Sequence, residues 1–386
     1  METVRRPALV IASAAAALLL TAGCSADGGA PAPAAPASPG SPVASSAAPS
    51  PSAPPAKGSV RVAATLTEGL KSPWGAALLP DGDLLVSSRD EATITRVDTE
   101  SGKRTSLGTV PGVAPAGEGG LLGLAVSPSY ASDHQVYAYF TTESDNRIAR
   151  LLYDERKPAG RQLGAPDTIL RGIPKGTVHN GGRIAFGPDR MLYAGTGETG
   201  DRGLAQDRAS LAGKILRMTP DGQPVHGNPS ADSVVYSYGH RNVQGLAWDG
   251  QRRLWAAEFG QDTWDELNLI EPGKNYGWPV AEGRAGKPGY VDPVAQWKTA
   301  DASPSGIAWA RGSIWMAGLR GERLWRIPLA GTEPSAAPQP FLQGRYGRLR
   351  TVLAAGGAGL WLVTGETDGR GTPGAGDDRI LRLAVT

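Results

Sequence analysis

The sequence predicts an all-β fold, a six-bladed β-propeller preceded by a signal peptide and a disordered Pro/Ala/Ser linker. Three observations predict it. Six segments repeat one pattern of apolar strand, turn and apolar strand, and self-similarity of this kind marks a repeat architecture. Gly 53 and Pro 32 in 386 residues, with Phe only 4, punctuate the chain into short strands rather than long helices. Residues 25 to 58 are almost entirely Ala, Pro, Ser and Gly without periodicity, so the repeats are confined to the chain beyond residue 58.

At the N-terminus, Arg5 and Arg6 precede an apolar run from Ala8 to Leu20 that ends in Thr21-Ala22-Gly23-Cys24. A basic start, a short apolar stretch and small residues define a secretory signal peptide over 1–23. The run is short for a membrane span. Cys24 after Ala-Gly resembles a bacterial lipobox, in which cleavage leaves a lipidated cysteine; Thr21 stands where that pattern prefers Leu. The expected localisation is therefore extracytoplasmic, anchored to the cell membrane through lipid alone. Residues 24–58 then form an extended tether, and the propeller spans 59–386.

The six repeats begin at Trp74, Leu121, His179, Val243, Ser305 and Thr351. Second strands follow, such as Leu254-Trp-Ala-Ala, Ile314-Trp-Met-Ala and Leu360-Trp-Leu-Val. Several third strands carry an arginine: Ile94-Thr-Arg, Ile148-Ala-Arg, Ile215-Leu-Arg, Leu324-Trp-Arg and Ile380-Leu-Arg. Alternation and turn chemistry make these β-strands. Three or four short strands recurring every roughly 45–60 residues form blades around a central channel.

Composition narrows the function. Lys plus Arg is 39 against Asp plus Glu at 37, with no basic patch, which excludes nucleic acid as the expected partner. There is no strand–helix Gly-x-Gly-x-x-Gly, Walker sequence, nucleophile elbow or Cys/His zinc spacing, so nicotinamide, ATP and thiol chemistry lack support.

In a propeller, the residue before each innermost strand lies at one channel mouth. Aligning the repeats places Lys71, Glu118, His179, Arg241, Asp301 and Arg348 in one ring. A neutral histidine there is a candidate general base, and Arg241 a clamp for an anion or for charge developing on oxygen. His240 alternates away from Arg241 and reads as packing. The loops Gly197–Arg202, Glu258–Asp262 and Gly365–Gly369 open at the same end, with carboxylates and carbonyls suited to a hard cation. Taken alone, Gly365–Gly376 reads as a turn.

The run from Trp74 to about Arg350 resembles the glucose/sorbosone dehydrogenase family, soluble quinoproteins that use pyrroloquinoline quinone (PQQ) and calcium. The matching motifs are Gly117-Glu-Gly-Gly-Leu-Leu-Gly-Leu-Ala, His179-Asn-Gly-Gly-Arg, Gly197-Glu-Thr-Gly-Asp with Gln206, Gly239-His-Arg-Asn-Val-Gln-Gly-Leu, Asp265-Glu-Leu-Asn and Asn275-Tyr-Gly-Trp-Pro279. The resemblance implies oxidation of an aldose at its anomeric carbon to a lactone, with His179 as base and hydride transfer to PQQ. It implies that Arg241 and Asn242 contact the quinone. Glu118, Glu198 and Gln206 line the substrate and cofactor pocket, and Arg348 and Arg350, with Arg320 near the position of a family lysine, meet the cofactor's carboxylates. The carbonyls of Gly260 and Gln261 hold an activating calcium, and Glu266 with the carbonyl of Tyr276 a structural one. The glucose-oxidising members carry Lys near Arg320, Pro at Gln261, Asp at Glu198 and longer loops, so the shorter mouth implies an open site with broad sugar selectivity. No motif encodes the electron acceptor. Two other readings stay open on residues alone: a non-catalytic propeller that binds a ligand or partner, and a calcium-dependent lactonase. The paired arginines Arg348 and Arg350 favour the quinoprotein over the lactonase.

Overall fold

The computed structural model describes residues 54–357 and 359–386. Cys24, the signal peptide and most of the tether lie outside the described residues. Six antiparallel sheets succeed one another along the chain, each running from an inner to an outer strand. The first blade comprises Pro73–Leu78, Leu84–Ser88, Thr93–Val97 and Arg104–Thr109. The second comprises Leu121–Val126, Gln135–Thr141, Asn146–Leu152 and Asp167–Ile173. The third comprises Ile184–Phe186, Leu192–Gly195, Lys214–Met218 and Val235–Tyr238. The fourth comprises Val243–Trp248, Leu254–Glu258, Trp264–Ile270 and Ala295–Lys298. The fifth contains Pro304–Ala310, Ser313–Gly318 and Arg323–Ala330, with Gln339–Phe341 as its outer strand.

The sixth blade takes Leu349–Ala354, Gly359–Thr364 and Ile380–Val385 from the end of the chain. Its outer strand is Val60–Thr67, the first strand of the described chain, paired antiparallel with Ile380–Val385. The ring is thus closed by main-chain hydrogen bonds between the two ends, which leaves no open gap between first and last blades. The residues just before that strand are also fixed. Arg326 Nη2 donates to the Pro55 carbonyl (2.8 Å) and Gly58 N to Gln339 Oε1 (3.0 Å), so the tether's last residues dock on the fifth blade rather than hang free.

The core lies between blades. Each of six apolar clusters draws on at least two neighbouring sheets, for example Tyr137 and Ile148 with Leu192 and Leu216, or Trp255 and Leu267 with Ile307 and Ile314. Trp255 and Trp315 are fully buried, supplying the large wedges that a radial arrangement of sheets requires. Four of the six inner strands carry a glycine, and each has a steric cause. A Cβ on Gly75 would strike the Leu122 backbone, on Gly123 the Gly182 carbonyl, on Gly245 the Ser305 carbonyl and on Gly306 Thr351 Cα. Inner strands of adjacent blades therefore approach backbone to backbone around the axis. Two of the third-strand arginines pin hairpin turns: Arg96 pairs with Asp83 (2.7 Å) and Arg217 with Asp189 (2.9 Å). Among the described residues, no helix is long and apolar enough to cross a membrane.

Candidate active site

A cavity of about 460 Å³ opens at one end of the axis, lined from all six blades. His179 stands on its wall. Its backbone is left-handed (φ 53°), a conformation costly for a non-glycine residue and found where surrounding structure enforces it. The enforcement is visible. His179 N donates to Glu118 Oε2 (2.8 Å), and its carbonyl accepts from Thr199 N (3.2 Å). Asn180 Nδ2 donates to the Gly176 carbonyl (2.8 Å), and Gly181 N donates to Asn242 Oδ1 (2.9 Å). Gly197 is required because a Cβ there would collide with the His179 carbonyl.

The ring of His179 is oriented from behind. Its Nδ1 lies 3.0 Å from Glu198 Oε1, and Glu198 is 1 % exposed. Burial alone would favour the neutral acid. The hydrogen bond and charge of His179, the Gly200 N–H and nearby Arg241 outweigh that and hold the Glu198 carboxyl below the usual range. An ionised carboxylate only accepts, so Nδ1 carries the proton and Nε2 is left as the base. Glu198 is therefore not on the cavity wall, as the motif alone had placed it. It sits behind His179.

Gln206 is likewise removed from the wall. It comes after the short 3₁₀ turn Arg202–Ala205, and its Nε2 donates to Asn275 Oδ1 (3.0 Å) and to the Trp278 carbonyl (2.6 Å). Trp278 in turn lies under the Arg241 guanidinium, 5.5 Å from its carbon. The insertion carrying Glu198 and Gln206 is anchored by Lys214. Its buried ammonium donates to the carbonyls of Leu204 (2.7 Å), Ala205 (3.1 Å) and Ala212 (2.6 Å), and burial pushes its pKa down to about 8.

Six arginines line the cavity (Arg89, Arg241, Arg320, Arg348, Arg350, Arg370) against three carboxylates, Glu118, Asp265 and Asp368. Arg241 donates to Gln261 Oε1 (2.8 Å) and to the Phe259 carbonyl (3.2 Å). Arg348 and Arg350 converge on Asp368 Oδ2 at 2.8 and 2.7 Å. Asp368, held ionised by those two arginines against the cost of burial, is a site residue that the turn reading of Gly365–Gly376 missed. Arg350 Nε is buried without a partner, and burial pushes the Arg350 pKa down to about 10. Arg320 lines the cavity and makes no hydrogen bond or ion pair among the described residues. Trp74, Phe259 and Leu319 add flat apolar surface. An excess of guanidinium groups, an orphaned buried donor and apolar faces fit a flat polycarboxylate such as PQQ.

Two members of the expected ring are elsewhere. Lys71 is exposed outside the cavity, and Asp301 pairs with Arg323 (3.6 Å). The residues preceding these two inner strands, Ser72 (φ 39°) and Ser303 (φ 48°), are left-handed, so Thr299 and Ser303 reach the cavity instead of Asp301. Asn242, Gly260 and Gln261 line the cavity. The loop after Glu258 is shaped by Glu282, whose Oε1 accepts from the N–H groups of Gln261, Asp262, Thr263 and Trp264 at 2.8–3.2 Å. Asp265 fixes its base by accepting from Gly260 N (3.0 Å) and Ser303 N (2.6 Å), and burial raises its pKa to about 6. With their N–H groups committed, the Gly260 and Gln261 carbonyls accept no hydrogen bond among the described residues. That leaves them available to a hard cation.

Glu266 faces away from this cavity into the buried interior of the fourth blade, directly opposite Glu258 in register. It accepts from Gly283 N (2.6 Å) and Asn268 Nδ2 (3.0 Å). Burial, and for Glu266 also the charge of Glu258, raises both carboxyls to about 8. His240 contacts Glu258 Oε2 through Nδ1 (2.8 Å) and stacks on Tyr276 at 4.6 Å. Burial pushes the His240 pKa down to about 3, so its contact with Glu258 joins neutral groups rather than ions. Among the described residues no cluster of three His, Cys, Asp or Glu side chains could hold a metal, so a cation here must use amide and carbonyl oxygens too. Asn268 Oδ1, buried without a partner, fits that need.

A six-bladed propeller with a histidine–carboxylate pair beside an arginine-rich axial cavity is the class the fold and site define. The chain belongs to the glucose / sorbosone dehydrogenase family, whose sequence model matches residues 70–381. The structure of the PQQ-bound form of aldose sugar dehydrogenase from Streptomyces coelicolor is 73 % identical, with a TM-score of 0.86 over 86 % of this chain and 100 % of that one. Aldose sugar dehydrogenase YliI of Escherichia coli is 31 % identical over 60 % of this chain and 65 % of its own length. Quinoprotein glucose dehydrogenase B of Acinetobacter calcoaceticus is 31 % identical over 56 % of this chain and 51 % of its own.

Proposed function

We propose that this chain is a PQQ- and calcium-dependent dehydrogenase that oxidises aldose sugars at the anomeric carbon to lactones. The observation that carries the reading is His179, its Nδ1 committed to buried Glu198, on the wall of a cavity where six arginines face three carboxylates. Arg348, Arg350 and Arg320 would hold the cofactor's carboxylates, with Arg241 and Asn242 beside its quinone edge. The carbonyls of Gly260 and Gln261 would hold calcium there, and Glu266 with the Tyr276 carbonyl a second, structural ion. When bound, the cofactor supplies the hydride acceptor.

The protein's own part is proton management and positioning. His179 Nε2 takes the proton of the anomeric hydroxyl as the C1 hydride departs, which leaves a lactone carbonyl. Glu198 stabilises the imidazolium so formed. Arg241 stabilises negative charge arriving in the cavity. The open mouth suits several aldoses, and the electrons leave to an external acceptor. Secretion and lipidation at Cys24 are part of the same proposal, tested by mass spectrometry of the mature N-terminus.

The direct test titrates the chain with PQQ in excess calcium, follows the quinone absorbance, then adds a panel of aldoses and an artificial dye. Tight uptake and sugar-dependent reduction, falling by about 10²–10⁴-fold in His179→Ala, are the expected results. Failure to take up the quinone overturns the proposal.

A further inference from the structure

We propose that Arg183 is the buried counter-charge of the anionic ligand held in the axial cavity, a positioning residue that raises affinity for a polycarboxylate and favours its reduction. This role rests on the dehydrogenase function proposed for the cavity. Arg183 closes the His179-Asn-Gly-Gly-Arg motif and is 6 % exposed. Its Nε donates to the Gln244 carbonyl (2.7 Å) and its Nη2 to Thr351 Oγ1 (3.0 Å), which itself donates to the Trp74 carbonyl (2.7 Å). The guanidinium carbon lies 4.6 Å from the Trp74 ring centroid, and that of Arg350 lies 5.9 Å from the same centroid.

Trp74, Gln244 and Arg350 all line the active-site cavity, so Arg183 is one side chain beneath its floor. The opposite side of Arg183 meets a pocket of about 250 Å³ walled by Ala, Leu, Ile and Val, which offers no negative charge. No carboxylate pairs with Arg183 among the described residues, whereas Arg350 shares Asp368 with Arg348. Burial and repulsion from Arg350 push the Arg183 pKa down to about 9.

A buried charge without a partner is costly. A neutral amide could still donate to the Gln244 carbonyl without that cost, so that hydrogen bond does not account for the charge. A polycarboxylate entering the cavity does. Its charge offsets two buried guanidinium groups at once, and negative charge added to it on reduction is stabilised by the same fixed field.

The test compares the full wild-type chain with Arg183→Met, Arg183→Gln and Arg183→Lys in excess calcium. It reads the melting midpoint without quinone, the Kd for PQQ and the reduction potential of the bound quinone. Arg183→Met is expected to melt at or above wild type, to bind PQQ at least tenfold more weakly and to lower the potential. Arg183→Lys should recover most of the affinity and potential. Should Arg183→Met fail to fold, Arg183→Gln keeps a donor for the Gln244 carbonyl, removes the charge and carries the same expectation. A neutral variant with wild-type affinity and potential but a lower melting midpoint overturns the inference and makes Arg183 a structural pin. Wild type that takes up no quinone overturns the functional reading instead, and the inference with it.

Discussion

The Nδ1 proton of His179 is fixed by a carboxylate that is itself fixed, since Glu198 also accepts from Gly200 N in the same turn. In the proposed mechanism that arrangement would stabilise positive charge on the ring as a substrate proton arrives. Glu198→Gln keeps the size and one acceptor but removes the charge. Its kcat should fall by about 10²–10⁴-fold, while the Kd for PQQ stays within a few fold, because Glu198 is not on the cavity wall. Steady-state kinetics alongside a binding titration separate these effects. His179, Arg241 and Arg348 were legible in the sequence because each stands where a repeat delivers it to the channel mouth, whereas Arg350 was legible only through the family motif. Glu198 and Gln206 were legible as motif members but not in direction. Their insertion folds back over Lys214, and no period encodes that turn. Asp368 was hidden in a glycine-rich stretch whose composition is that of a turn. Arg183 carried no signal of depth, which arises only from the close approach of inner strands.

In the fourth blade, the strand Trp264–Ile270 sends Asp265 to the cavity and Glu266 to the opposite side, as alternation requires. The register then sets Glu266 directly across from Glu258, and like charges so placed repel. The pair responds by holding protons to about 8, far above the ordinary glutamate value of 4.5. The sign is set by linkage. Without metal, the stability these protons contribute is complete below pH 4.5 and is lost as pH rises through about 8. Calcium held at Glu266, as proposed, would replace the protons as counter-charge. The rise in melting midpoint on adding calcium to chelated protein should therefore be larger at pH 9 than at pH 6. Scanning calorimetry at both values checks it, and Glu266→Gln should reduce the difference. The element itself was readable from its alternating pattern; the register that pairs two glutamates was not.

At the scale of the propeller, six sheets wedge against one another, and the first and last described strands close the ring. The repeat made the number of blades legible, since every inner strand carries the same apolar signature. The closure was not, because Val60–Thr67 is an ordinary strand by sequence and only its partner, Ile380–Val385, makes it the lock. Truncation through Thr67 removes a ladder of six paired positions. At about 1 kcal/mol net per hydrogen bond, it should cost roughly 3–6 kcal/mol in urea unfolding. Quinone affinity should fall with it, since Arg348, Arg350 and Asp368 belong to that blade.

The same closed ring holds His179 and the arginine cluster at a fixed separation, and the central claim is that a sugar's C1 hydrogen leaves as hydride while His179 takes the hydroxyl proton. Single-turnover reduction of the PQQ-loaded chain by an aldose deuterated at C1 measures that step. A primary isotope effect on quinone reduction in wild type, with the rate falling by about 10²–10⁴-fold in His179→Ala, is the result expected. Quinone reduction that is insensitive both to deuterium at C1 and to loss of His179 would contradict the account.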